Sequence, residues 1–528
     1  MSAPSPISRS KMASIPSIPE FFKGRSIFIT GATGFLGKVL VEKLLRSCPQ
    51  LKAIYLLIRP KRGKEVHDRL DELFAFKLFD KLIEANPNYK SKVFAVEGDI
   101  IKEGLGIGQA EEKLLMDEVS VVFHSASTIK FDEGMKLSVE MNITGLKKLL
   151  ELCKKMKKLE AFIHISTAFA NCDREQAGEE IYPPPIHPNR LMSAVEWMDT
   201  ESLDDLTPKM VGDRPNTYTY TKAVAEYLLK EEAGGLPVAI IRPSILGATY
   251  REPFKGWVDN FNGPSGLFAS IGKGLLRSIK GDYHATADII PVDFVSNLII
   301  AAAWFTATHK PSDIKMYNCT TGQLNRFTWG QMERLCYEFM MKNPLNSVAR
   351  IPNPKLTKSQ LLHELKVLYD HMLPAYVMDF CLWIMGRKTM YVRIQDKIQK
   401  AVHSLDYFTS HQWEFTNNNM LMLQSQLSEE DKKEFFFDVK SIDWRMYMEW
   451  YCLGTKQYVL KEELSQLPNA RKSLARLKKI NFLMNVIIVI IIWRLLIHRS
   501  VIARTLWNSI LGTALQVVKR IPSIAKSS

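Results

Sequence analysis

The chain predicts an α/β fold: a doubly wound parallel sheet, then a mostly helical C-terminal region, then a basic, apolar tail. Three features point there. From Arg25 to about residue 250, short runs rich in Val, Ile and Phe alternate with longer amphipathic stretches. After about residue 330 strand-like runs thin out, and Met, Trp, Tyr and Leu repeat at helical spacing. After Glu463 there is no acidic residue, while eleven Lys and Arg surround the most apolar stretch of the chain. A length of 528 residues exceeds one ordinary core, so two or three folded units are expected.

Residues 1–20 lack the apolar centre of a secretion signal and read as a disordered leader. Residues 21–350 form the first expected unit. Its strands are "SIFIT" (26–30), "AIYLLI" (53–58), "KVFAVEGD" (92–99), "VSVVFHSAS" (119–127), "LEAFIHIST" (159–167) and "LPVAIIRPSILG" (236–247). These runs are largely apolar on both faces, as suits parallel strands covered by helices on each side. The stretches between them, such as "GKVLVEKLLRSC" and "TGLKKLLELCKKM", have helical spacing, and strand–helix alternation means a doubly wound sheet. Residues 355–465 read as a mostly helical second domain whose aromatic and Met stripes are core. An apolar ligand chain would also suit such surroundings.

The formal net charge of +14 first suggests nucleic acid. Its location argues otherwise, because eleven of those charges lie after Glu463 and leave only +3 for residues 1–463. Basic residues beside an apolar run suit an anionic membrane face, so the expected partner is a lipid membrane and not nucleic acid. Seven scattered cysteines include no CxxC pair, which argues against a zinc site or a disulfide framework and for a reducing compartment. No metal site is expected, and the oligomeric state is not legible.

"TGATGFLGKVL" sets Gly31, Gly34 and Gly37 between a strand and a helix. Gly31 permits a tight turn, Gly34 lets backbone approach a pyrophosphate, and Gly37 lets helix pack on strand. Thr33, Phe35 and Leu36 complete the loop, whose helix N-terminus favours negative charge. The second strand ends in "IRPKRG", where an NAD site usually carries an acid. Arg59 would instead fork onto a 2′-phosphate, so NADPH is expected over NADH. Lys61 and Arg62 follow, and both also fit a solvated loop. Asp99, closing the third strand, suits either an adenine amine or a turn cap.

"YTYTK" (218–222) places Tyr218 and Lys222 four apart, on one face of a helix, with Tyr220 pointing elsewhere. A nearby ammonium favours phenolate, so Lys222 is expected to lower the Tyr218 pKa and suit it as a proton donor. Thr167, with Ser166 in reserve, ends a strand where ligands of such sheets bind, and Asn142 is a helix-borne candidate to organise water for the lysine.

These residues resemble a known family. "TGATGFLG", "YTYTK" and "RPSI" (242–245) look like the extended short-chain dehydrogenase/reductases, with their Rossmann sheet. "YPPP" (182–185), "GDRPNTYTYTKA", "EPFKGWVDNFNGPSGLF" (252–268) and "YCLGTKQYVL" are similar to the alcohol-forming fatty acyl-CoA reductases, nearest the animal peroxisomal, membrane-anchored type. That resemblance implies reduction of long-chain fatty acyl-CoA through an aldehyde to a fatty alcohol with two NADPH, for ether lipids and wax esters. It implies Thr167 and Tyr218 at the reacting oxygen. It implies a peroxisomal membrane with the catalytic side cytosolic, although the chain ends "IAKSS" and not SKL. The endoplasmic reticulum is the alternative. Another extended reductase, of sterol or sugar-nucleotide type, and a non-catalytic NADPH-sensing membrane adaptor are the competing functions.

The tail, residues 470–528, has one plausible span, about 481–497. Phe482–Ile497 would cover about 24 Å as a helix, short of a bilayer core of about 30 Å. A single span is preferred, and an interfacial helix pair with 505–518 is the alternative.

Overall fold

The structure, a computed structural model, describes residues 15–61 and 63–524. Seven strands form its central sheet: β1 (Ser26–Thr30), β2 (Ala53–Ile58), β3 (Val93–Glu97), β4 (Val119–His124), β5 (Ala161–Ile165), β6 (Val238–Pro243) and β7 (Lys315–Cys319). Their order is β7-β6-β5-β4-β1-β2-β3, and every pairing is parallel. The order reverses between β1 and β4, so the crevice for ligands opens at the carboxyl ends of those two strands.

Alternation along each strand assigns the two faces. Ile27, Ile29, Phe123, Ile163 and Ile241 join the core under α1 (Phe35–Ser47) and α3 (Val292–His309). Phe28, Val122, Phe162 and Ile240 join the opposite core, with Tyr220, Val224 and Leu228 of α2 (Thr217–Glu232).

The six expected runs all carry strands of this sheet. The sixth divides at Ser244: its N–H still donates to Cys319, but the Ile245 N–H donates to Asp288. Ile245–Gly247 then pairs with Ile289–Pro291, outside the main sheet. β7, "KMYNC", was not expected, because so short a run with Lys and Asn in it lacks the apolar signature of its neighbours. The expectation of a disordered leader does not hold for residues 15–20. Ile18–Phe22 is helical with Ile18, Phe21 and Phe22 buried, and Trp304 Nε1 donates to the Pro16 carbonyl at 2.7 Å. Residues 1–14 lie outside the described residues.

The C-terminal region is helical and includes α4 (Leu373–Ile384), α5 (Tyr391–His403) and α6 (Trp444–Gly454). It folds back onto the sheet. Asn417 Nδ2 donates to the Asn318 carbonyl at 2.9 Å, and the Tyr447 hydroxyl donates to the Ala248 carbonyl at 2.8 Å. Its aromatic and Met stripes divide. Tyr447, Met448 and Tyr451 of α6 are buried, as expected of core. Over 361–384 the expectation fails: Leu361, Leu365, Leu368, Tyr376, Phe380 and Trp383 face water, because this helix buries chiefly His363, His371, Ala375 and Asp379.

The tail is two helices, α7 (Leu467–Arg499) and α8 (Val501–Ile524), meeting at Ser500. The apolar run thus lies inside a 33-residue helix of about 50 Å, long and apolar enough to cross a membrane. Trp493 and Trp507 meet edge to face at 5.4 Å, so the two helices pack on each other.

The backbones of α6 and the 252–263 loop touch directly. A Cβ on Gly454 would lie 1.6 Å from the Gly256 carbonyl oxygen. Gly454→Ala is therefore expected to lose about 3 kcal/mol of stability through overpacking, read as a lowered midpoint of thermal or urea unfolding.

Candidate active site

The Gly31–Gly37 bend sits over the switch point. Gly31 has φ +76, and a Cβ there would lie 2.6 Å from Ala126 N. A Cβ on Gly37 would lie 2.3 Å from the Gly31 carbonyl oxygen. Gly34 caps α1 and is exposed, so the first-turn N–H groups of Phe35, Leu36 and Gly37 face the crevice with no helical partner. A pyrophosphate fits this cradle, where N–H groups and the helix dipole both favour negative charge. Thr33 is half-buried at the turn, Leu36 is buried, and Phe35 stacks on Trp257 at 5.4 Å.

Arg59 follows β2 directly and is exposed, its carbonyl accepting from Arg69. Lys61 bridges to Lys64, and Arg62 lies outside the described residues. Asp99 serves its own turn, accepting from the Ile101 N–H at 3.4 Å.

Tyr218, Lys222 and Glu226 recur every four residues along one face of α2, which Asn216 caps through the Thr219 N–H. Lys222 Nζ donates to the Ile165 carbonyl at 2.8 Å, at the end of β5. Glu226 is buried and paired with Arg242 at 2.6 Å. It also accepts from Ser166 Oγ at 2.5 Å. Ser166 is thereby committed to this ion pair and turned from the crevice. Thr167, one residue on, donates its hydroxyl to the Pro243 carbonyl at 3.5 Å and accepts from the Phe169 N–H at 3.3 Å, and it lies near enough to Tyr218 to act on its phenol. Tyr218 and Thr167 are thus brought together, and Ser166 is not.

Asn142 is buried in the π-helical turn Glu140–Thr144. Its carbonyl accepts from Ser127 Oγ at 2.8 Å and the Thr128 N–H at 3.1 Å, and its amide donates to Thr221 at 2.9 Å. It braces α2 against the loop after β4 and does not bond Lys222 directly.

Burial pushes the Tyr218 phenol up to about 12, with the neighbouring Thr167 hydroxyl working against it. The expected lowering by Lys222 is not found, because the ammonium is directed at the Ile165 carbonyl. Tyr218 therefore stays protonated across the physiological range, as a neutral acid. Lys222 is lowered to about 8 by burial, with Glu226 opposing. Two buried imidazoles, His124 and His164, lie near it at 5.2 Å between ring centroids, and both are held neutral by burial, with the Lys222 charge adding to this.

A lane of aromatic rings packed on one another adjoins the phenol, and sequence spacing did not reveal it. Phe131 lies 5.9 Å from Tyr218 and 5.4 Å from Phe408, and Phe169 meets Phe408 at 5.1 Å and Trp413 at 5.3 Å. Trp413 Nε1 and the Tyr407 hydroxyl both donate to the Cys172 carbonyl at 3.0 Å, so the C-terminal region closes the lane. Among the described residues no three His, Cys, Asp or Glu side chains gather as a metal would need.

Family models described as "Male sterility protein" match residues 29–299 and 370–462. Over 491 residues, 93% of this chain and 95% of each relative, the sequence is 48% identical to fatty acyl-CoA reductase 1 of Xenopus laevis and 45% identical to that of Homo sapiens. It is 45% identical over 490 residues to fatty acyl-CoA reductase 2 of Mus musculus, covering 93% of this chain and 95% of that one. Among solved structures, the terminal R domain from the myxalamid PKS-NRPS pathway shares the fold, with a TM-score of 0.54 at 18% identity over 84% of this chain and 93% of that one. The reductase domain of a non-ribosomal peptide synthetase from Mycobacterium tuberculosis is likewise similar in fold, with a TM-score of 0.54 at 15% identity over 83% of this chain and 92% of that one.

Lys222 gives a stability prediction with a definite sign. Its folded pKa of about 8 lies below the unfolded value of about 10.4. Below pH 8 both states carry the proton and the folded state bears the full cost of a buried cation. Between about pH 8 and 10.4 the unfolded state holds more protons, so stability rises with pH, by up to about 3 kcal/mol. Lys222→Met is expected to remove that rise, measured as unfolding free energy against pH for the two proteins.

Proposed function

Because the chain belongs to the fatty acyl-CoA reductase family, we propose that it reduces long-chain fatty acyl-CoA with NADPH, releasing CoA and continuing through the aldehyde to the fatty alcohol. One observation carries this most: a neutral phenol, Tyr218, stands beside Thr167 and an aromatic lane, on the helix face that Lys222 ties to the end of β5.

The cradle residues Gly31 to Gly37 would hold the pyrophosphate, Lys222 the nicotinamide ribose, and Arg59 a 2′-phosphate. The bound dinucleotide supplies hydride. Tyr218 and Thr167 hold the carbonyl oxygen and favour the negative charge that develops on it. Tyr218 gives that oxygen its proton; as the carbonyl re-forms the C–S bond breaks, the oxygen gives the proton up again, and CoA leaves as the thiol that carries it. The same two hydroxyls hold the aldehyde oxygen in the second reduction, and each reduction consumes one proton. The aromatic lane excludes water and takes the apolar chain. Exposure of Arg59 at the end of β2 and the lack of an acid at that position support NADPH over NADH. The long apolar α7, with five basic residues at 471–479 before its apolar part, supports a membrane anchor with the reductase facing the cytosol, and the resemblance to the animal peroxisomal type extends this to the peroxisomal membrane and to alcohol for ether lipids.

Purified protein given NADPH and a panel of acyl-CoAs is expected to yield fatty alcohols, identified by mass spectrometry. Tyr218→Phe should cut turnover roughly a hundredfold to ten-thousandfold, and full turnover would remove Tyr218 from the mechanism. Arg59→Asp should narrow the NADPH-over-NADH preference roughly tenfold to a hundredfold, read from the ratio of kcat/KM values; an unchanged ratio rejects the 2′-phosphate role.

A further inference from the structure

Gln360–Lys366, the π turn Val367–Met372 and α4 form one continuous helix, about 37 Å long, and α5 returns against it as a hairpin. Leu361, Leu365, Leu368, Tyr376, Phe380 and Trp383 recur on it at helical spacing, and every one is more than half exposed. A contiguous apolar face of this kind marks an interface on a folded protein.

Charge identifies what covers it. The turn and return helix, residues 385–404, carry Arg387, Lys388, Arg393, Lys397 and Lys400 against one acid, Asp396. Exposed Trp383, Ile384 and Met385 stand at the tip beside Arg387 and Lys388. Apolar and Trp side chains bordered by cations suit the headgroup level of an anionic bilayer. A two-fold contact with a second copy would set five cations against five. The tip is also built: the Asp379 carboxylate accepts from the N–H groups of Met390, Tyr391 and Val392 at 2.8, 2.8 and 3.0 Å.

The hairpin and the candidate anchor leave the reductase body side by side. Arg277 pairs with Asp370 at 3.3 Å and donates its N–H to His371 Nε2 at 2.9 Å, at the hairpin's midpoint. Four residues earlier, Lys273 pairs with Glu462 at 2.6 Å, and Arg471 Nε donates to the Lys342 carbonyl at 2.9 Å, at the root of α7. The return helix then runs into the segment carrying Phe408 and Trp413, the wall of the lane beside Tyr218.

We propose that the 360–403 hairpin is a second membrane contact, seated in the headgroup–acyl boundary of the same bilayer face that α7 enters. The proposal rests partly on the anchor reading, and the test separates the two. Cys381 is the exposed cysteine on α4, and the other six cysteines are buried. Full-length protein labelled there with bimane is reconstituted into phosphatidylcholine–phosphatidylserine vesicles with plain or brominated acyl chains, and flotation is scored in parallel. The expected result is loss of most bimane emission in brominated vesicles, reversed by Arg387→Glu with Lys388→Glu while flotation persists. Floating protein whose label is unquenched overturns the hairpin contact and leaves the anchor standing. Protein that does not float overturns both. Energy transfer between labels on mixed copies, without lipid quenching, overturns the lipid assignment in favour of a second copy.

Discussion

Glu226 and Arg242 are both almost entirely buried, and they pair with bonds of 2.6 and 2.8 Å. Losing one partner of such a pair typically costs about 3–5 kcal/mol, because the other charge stays buried and alone. What the pair adds here is direction. Glu226 also takes the Ser166 hydroxyl, and Arg242 donates to the Gly178 and Glu180 carbonyls at 2.9 Å each. One turn earlier, Lys222 is pinned on the Ile165 carbonyl. Two turns of α2 are thereby clamped to the ends of β5 and β6. Tyr218, the next residue on that face, is left just beyond the strand end, against Thr167. Ser166 and Thr167 point to opposite sides, so anchoring one aims the other.

The same economy of space governs the nucleotide cradle and the join between the two halves. Gly31 and Gly37 allow the turn, β4 and α1 to approach within distances that no side chain tolerates. Gly256 and Gly454 do so between the 252–263 loop and α6. Lys43 extends this join, pairing with Glu252 at 2.6 Å and Glu434 at 3.1 Å. The lane needs a rigid join, since Phe131 and Phe169 come from the first half and Phe408 and Trp413 from the second.

Much of this was legible in sequence because parallel strands covered on both faces are apolar throughout, and because a turn cradling phosphate spaces its glycines in a set way. The four-residue interval between Tyr218 and Lys222 was legible for a similar reason: helix geometry makes it one face. Position on a strand could not separate Ser166 from Thr167, since the choice is made by Glu226, sixty residues away. The direction of the Tyr218 pKa was misread because spacing reports the ammonium but not the desolvation or the competing Ile165 carbonyl. The lane escaped because Phe131 and Phe408 meet only through the fold. The stripes of 361–384 and 447–451 have similar composition, and only their packing partners tell that one is covered by protein and the other is not.

On the proposed membrane contact, that exposed stripe bears on how a long acyl chain is selected. A chain drawn from water into the lane gains about 0.8 kcal/mol for each methylene buried. A chain drawn from a bilayer gains almost nothing, because it passes from one apolar medium to another. Beside a membrane, the lane therefore contributes shape and water exclusion more than affinity. On the proposed mechanism, discrimination then falls to the polar end, where binding energy would hold the thioester against Tyr218 and Thr167 in the geometry the transition state requires. The clamp of Lys222 and Glu226 on the strand ends fixes that geometry, so chain length is expected to act through where the lane stops relative to Tyr218, and not through the summed apolar area along it.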